Sequence, residues 1–113
     1  MSRHESHVRL RHMLDSASKV AKFSDSKSRQ DLEDDELLRS GLIQFIQVIG
    51  EAARKTPLEF QEKYPEIEWR AIAGTRDRLI HGYDKVDLDL LWKICSEQIP
   101  ILITKLQKIL GEE

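Results

Sequence analysis

Apolar residues recur at steps of three and four along four separate stretches of this chain, and none alternates in the two-residue rhythm of a half-buried strand. That pattern restricts the fold to packed helices. From Val8 to Phe23 the stripe is Leu10, Met13, Leu14, Ala17, Val20 and Ala21. Ser24 to Gln30 is polar and serine-rich and reads as a connection. The acidic run Asp31 to Glu36 suits a first helical turn, where carboxylates complement the helix dipole. The second helix carries Leu38, Leu42, Phe45, Ile49 and Ala52 and runs to about Lys55, before Thr56-Pro57. Leu58 to Tyr64 allows one short helical turn ahead of Pro65. A third helix is expected from Ile67 to Trp69 onward, through Ile72, Ala73, Leu79 and Ile80, stopping near Gly82. The last starts near Asp87 and presents Leu88, Leu91, Cys95, Gln98, Leu102, Leu106 and Ile109, with Pro100 inside it, expected to kink or divide it. The expected fold is all-α: an antiparallel four-helix bundle with a short extra helical turn, one domain over residues 1–113.

A chain of 113 residues supports one core, and 40% hydrophobic with 34% charged residues fits a globular rather than a disordered protein. No apolar run approaches the roughly 20 residues of a membrane-spanning helix. Met1 to Leu14 is too polar for a secretory signal. A single cysteine, Cys95, forms no internal disulfide framework and fits a reducing compartment, so the cytoplasm is the expected location. The net charge of −2 argues against non-specific coating of nucleic acid, which needs many cations against phosphate. A local site is compatible with it: Arg70, Arg76, Arg78 and Lys85 form a modest cluster, and a dimer pools two such patches. Ile43, Ile46, Ile99, Ile101 and Ile103 lie beside the main stripes, more apolar surface than one small bundle covers; this favours a two-fold homodimer.

The segment with chemical potential is Arg76-Asp77-Arg78-Leu79-Ile80-His81-Gly82-Tyr83. Arginine is a permanent planar cation suited to phosphate. Histidine exchanges a proton near neutral pH. Five residues apart, the two sit about 500° around a helix at ~100° per residue, so a straight helix does not align them. An ending helix at Gly82 lets the imidazole turn inward, and the same spacing suits residues facing a partner helix. Asp77 is placed to orient an arginine or the histidine ring.

Arg76-x4-His81, with a polar residue after the arginine, resembles the signature of HEPN domains. Extended to Tyr83 it resembles the HepT subgroup, toxins paired with minimal nucleotidyltransferase antitoxins. Nearly the whole chain takes part: Val48-Ile49-Gly50-Glu51-Ala52-Ala53 resembles the family's second-helix segment. Lys63-Tyr64-Pro65-Glu66-Ile67 with Trp69-Arg70 resembles its run into the third, and Asp87-Leu88, Leu91-Trp92 and Ile99-Pro100 its last helix. Glu68 stands where relatives often have proline, and Gln44, Phe45 and Gln47 depart from the usual charged or amide residues, which bears on helix start and dimer detail.

The resemblance implies an endoribonuclease that needs no metal or cofactor, acts on RNA rather than DNA, and builds its site across a homodimer. Arg76 binds phosphate and stabilises its charge, His81 transfers protons, and Asp77 orients. Tyr83 is the implied acceptor of adenylyl groups from the antitoxin. Two other classes stay open: a non-catalytic HEPN companion that serves a nucleotidyltransferase as its substrate-binding subunit, and a structural dimerisation module. The bare pattern of an arginine and a histidine near a helix end is more often structural than functional. His4, His7 and His12 lie in a polar leader without a ligand set to complete a metal site and read as surface residues. Trp69 and Trp92 read as packing groups before base-stacking ones, and Cys95 as a small buried hydrophobe.

Overall fold

The computed structural model describes residues 3–82 and 85–112. It is an all-α bundle, as the periodicity predicts. Helix α1 (Arg3–Ser24) lies between α3 (Glu36–Arg54) and α8 (Ile99–Glu112). Leu10, Met13, Ala17 and Val20 on α1 are fully buried, as are Leu106 and Ile109 on α8. Helix α1 begins at Arg3, so the expected start at Val8 was late and the three histidines sit on the helix rather than in a leader. Ser6 is buried there, which is why a polar stretch still forms part of the packed helix.

The acidic run is not one helix start but two. Ser28 caps a short helix, α2 (Arg29–Asp34), in a reciprocal capping box with Asp31, whose carboxyl the backbone and hydroxyl of Ser28 hold below the ordinary carboxylate range. Asp35 then caps α3 by accepting from the Leu38 N–H at 3.0 Å. Arg39 donates to the carbonyls of Leu32 and Glu33, which ties the end of α2 onto α3.

After α4 (Leu58–Lys63) the Trp69 indole N–H donates to the Tyr64 carbonyl at 3.0 Å, fixing the entry to the next helix. The expected third helix is broken into α5 (Trp69–Ala73) and α6 (Thr75–Leu79) at Gly74. Thr75 Oγ1 and Arg78 both donate to the Ala71 carbonyl, at 2.9 and 3.0 Å, so side chains take over what the interrupted backbone ladder leaves open. Helix α6 also stops three residues before Gly82. Ile80–His81 (β1) pairs antiparallel with Lys85–Val86 (β2), Ile80 opposite Val86 and His81 opposite Lys85. Gly82, with φ +67°, supplies the left-handed residue of this reversal rather than a helix end.

Helix α7 (Leu88–Lys93) is capped by Asp87 and runs into a π-helical turn, Ile94–Gln98, before α8. Pro100 lacks an N–H for the Ser96 carbonyl, and the widened turn immediately before it absorbs the disruption without dividing the bundle. Of the residues expected to need a partner surface, Ile46 and Ile99 are buried within the chain, Ile43 and Ile103 are half-buried, and Ile101 is 56% exposed.

Candidate functional site

Helix α6 carries Arg76 and Asp77 toward α3. What places them is the close approach of α5 to α3 at Gly50, where an added Cβ would stand 3.1 Å from the Ile72 carbonyl oxygen and 3.5 Å from that of Ala73. Arg54 fastens the same junction, donating to the Ala73 carbonyl at 3.0 Å while its other nitrogen pairs with Glu51 at 2.7 Å. One residue later the chain breaks at Gly74 and turns into α6. Arg76 and Asp77 thus come to line a recess whose other wall is Ile46, Gln47, Gly50, Glu51 and Arg54. The guanidinium of Arg76 is half exposed, and its contact with Asp77 is long, 4.0 Å. It keeps donors available for an incoming anion.

His81 follows on β1 with its side chain 61% exposed, so the imidazole does not turn into the chain's interior. The hairpin register brings Asp87 back to it: Asp87 Oδ2 lies 3.8 Å from His81 Nε2, beyond hydrogen-bond range but within ion-pair reach of a protonated ring. The other oxygen, Oδ1, accepts from the Leu90 N–H at 3.0 Å and so fixes the carboxylate. Sequence reasoning offered Asp77 to orient an arginine or the histidine ring and did not consider Asp87 beside His81. The structure sets Asp77 beside Arg76 and Asp87 beside His81. The signal was there in two parts, a glycine able to reverse the chain and an N-cap aspartate just beyond it. Tyr83, the expected modification site, lies outside the described residues.

The basic cluster anticipated around this segment is divided. Arg76 faces α3, whereas Arg70 and Arg78 line a separate recess with Leu58, Pro65 and Trp69, where Arg78 is occupied by the Ala71 carbonyl. A recess between α3, α5, the π turn and α8, lined by Ile46, Ile67, Ile72, Ile99 and Leu102, holds none of the predicted site residues. Among the described residues no group of three or more histidine, cysteine or carboxylate side chains could hold a metal ion. Trp69 is buried and Trp92 half-buried, both as packing groups. Cys95 is buried on the π turn, and burial pushes its thiol up to about 12. No helix among the described residues is long and apolar enough to cross a membrane.

The model of the family "Ribonuclease HepT-like" matches residues 13–109. The chain is 36% identical over 105 residues to a "Gamma-glutamylcyclotransferase and putative RNase" of Methanocaldococcus jannaschii; the match covers 93% of this chain and 47% of that protein, so the chain spans about half of that relative. It is 34% identical over 100 residues to a "Putative RNase" of the same organism, covering 88% of this chain and 92% of the relative. To a "Probable ribonuclease HepT" of Thermococcus cleftensis it is 37% identical over 90 residues, 80% and 82% of the two chains. No solved structure matches it significantly. With a family model that takes in α3, the broken third helix and the hairpin that holds His81, this chain belongs to the HepT-like ribonuclease family.

Proposed function

We propose that the protein is an endoribonuclease toxin of the HepT kind, acting without a metal and neutralised by a minimal nucleotidyltransferase. Membership of the family and its relatives' ribonuclease names support the RNA-cleaving class. The observation that carries the mechanism is an exposed imidazole near a fixed carboxylate, His81 with Asp87, on the segment that directly follows the half-exposed guanidinium of Arg76.

In the reaction the RNA's own 2′-hydroxyl attacks the adjacent phosphorus as a base removes its proton. The bond to the 5′-oxygen breaks, and an acid protonates that oxygen. A cyclic phosphate and a 5′-hydroxyl result. One imidazole cannot hold and lack a proton in the same step, and the proposal assigns the two roles to two imidazoles. A two-fold dimer supplies them, His81 of each protomer taking one role, while both Arg76 side chains stabilise the charge that builds on phosphate. Outward-facing His81 is compatible with such a shared cleft. Asp87 orients the ring, and Asp77 sits against Arg76.

Tyr83, two residues beyond His81, is the proposed adenylyl acceptor; each added group brings bulk and a negative phosphate beside the RNA site and so excludes substrate. The test is cleavage of RNA by the purified protein in the presence of chelator. Wild type should yield cyclic-phosphate ends, Arg76→Ala and His81→Ala should not, and Tyr83→Phe should cleave but resist adenylylation. Wild-type rates in His81→Ala would overturn the reading.

A further inference from the structure

Helix α1 departs from the charge balance of the chain. Over Arg3–Ser24 it has five arginines and lysines against two carboxylates, Glu5 and Asp15, in a protein whose net charge is −2. Part of that charge faces α3. Arg9 and His12 line a groove with Gln44, Gln47, Val48, Glu51, Ala52 and Lys55. Further along, Lys19 and Lys22 accompany a pair of stacked rings, Phe23 on α1 and Phe45 on α3, with centroids 5.9 Å apart and planes within 5°. The ammonium of Lys19 lies 5.6 Å from the Phe45 ring, and that of Lys22 is 5.6 Å from the Phe23 ring. Phe23 is 46% exposed even with one face stacked on Phe45.

This groove adjoins the Arg76 recess. Gln47 and Glu51 line both, forming the ridge of α3 that separates them. The charge of Glu51 is offset by Arg54, and of the two exposed carboxylates of α1, Glu5 and Asp15, neither lines the groove. Phosphate-binding cations with an exposed aromatic face at one end are what a single-stranded nucleic acid requires: the backbone follows the cations and a base stacks on the ring.

We propose that the α1–α3 face is a binding track for single-stranded RNA, leading from the scissile phosphate at Arg76 over the Gln47–Glu51 ridge, past Arg9, His12 and Lys55, to a base stacked on Phe23 between Lys19 and Lys22. The proposal rests on the ribonuclease reading above and deepens it, since it makes the substrate a strand unpaired for several nucleotides to one side of the cut. Lys19 and Lys22 then exchange part of their ring contact for phosphate.

The experiment measures binding of a fluorescent single-stranded RNA by anisotropy, with His81→Ala as the common background so that the probe stays intact. Phe23→Leu keeps the apolar bulk and removes the ring; Phe23→Trp restores an aromatic face. Phe23→Leu should weaken binding roughly 5- to 10-fold, the range expected for one stacked base at a partly exposed site, and Phe23→Trp should restore it. Lys19→Ala with Lys22→Ala should reduce the slope of log affinity against log salt by about 1.4, at ~0.7 per lost phosphate contact. A duplex of the same sequence should bind less tightly than the single strand. Binding unchanged in both the Phe23→Leu and double-lysine variants, while wild type still cleaves, overturns the track and leaves the nuclease. If those variants bind RNA normally but lose the nucleotidyltransferase, the face is a protein interface and the track is overturned equally. Failure of wild type to cleave and of the His81→Ala protein to bind overturns both readings together.

Discussion

At the residue scale the most informative side chain is Asp87, because its two oxygens have separable duties. Oδ1 caps α7 through the Leu90 N–H, and Oδ2 faces His81. Asparagine is as good an N-cap as aspartate, whereas alanine loses the cap at a cost of about 1 kcal/mol. Asp87→Asn should therefore retain stability and lose activity, while Asp87→Ala should lose both; thermal melts beside cleavage rates separate the two effects. Equal activity in wild type and Asp87→Asn would remove Asp87 from the site. Cys95 makes a second, independent prediction. Burial alone raises its thiol from an ordinary 9.0 to about 12. The folded protein thus keeps the thiol neutral where the unfolded chain ionises it. Its contribution is fully present below about pH 9 and is lost as pH rises from there toward 12, so denaturant midpoints should begin to fall above pH 9. A disulfide reagent at pH 8 should label native protein slowly and urea-unfolded protein fast, since the thiolate is the reactive form. Fast native labelling would contradict the buried placement.

At the scale of elements, Gly50 controls how α5 meets α3. A Cβ there already approaches the Ile72 carbonyl to 3.1 Å, and the branched carbons of valine have nowhere to go but against α5 backbone. Gly50→Val should cost about 1–3 kcal/mol through overpacking and, by pushing α5 away, should also displace Arg76. Denaturant unfolding gives the first quantity, and RNA cleavage by the still-folded fraction gives the second. Gly50 also illustrates what the sequence made legible. The second-helix segment and its end at Lys55 could be read directly, since a strong apolar stripe and Thr56-Pro57 bound it. The third helix could not. Its stripe continues in sequence through Leu79 and Ile80, but the break at Gly74 depends on Arg54, Thr75 and Arg78 bonding to carbonyls of α5, and Arg54 reaches its partner from α3 only after the chain has folded. Likewise Arg76 and His81 were recognisable as residue types, while the placement of Asp87 beside His81 depends on a reversal after His81 that an expected helix running to Gly82 conceals. A disruption at Pro100 was expected from its missing N–H, yet its form, a π turn at Ile94–Gln98 just upstream, was not legible in the sequence.

For the whole molecule, the decisive question is whether catalysis belongs to one chain or to two. The chain offers one exposed imidazole at the proposed site, and the proposed reaction needs a base and an acid at once. If the two imidazoles come from different chains, every dimer that contains one His81→Ala chain lacks a proton carrier. Mixing wild type with an equal amount of His81→Ala protein and allowing exchange should then lower the activity of the wild type present to about half, and a tenfold excess should lower it to about one-tenth, from random pairing alone. Self-sufficient protomers would be indifferent to the added variant. Dilution provides the matching control: specific activity should decline as concentration falls through the dimer dissociation constant, and sedimentation should report the mass of two chains above it. A wild-type activity untouched by a tenfold excess of exchanged His81→Ala chains would assign both proton transfers to a single protomer. His81 would then need a second group from its own chain, and Asp87, the carboxylate that approaches its ring, would be the first residue to test.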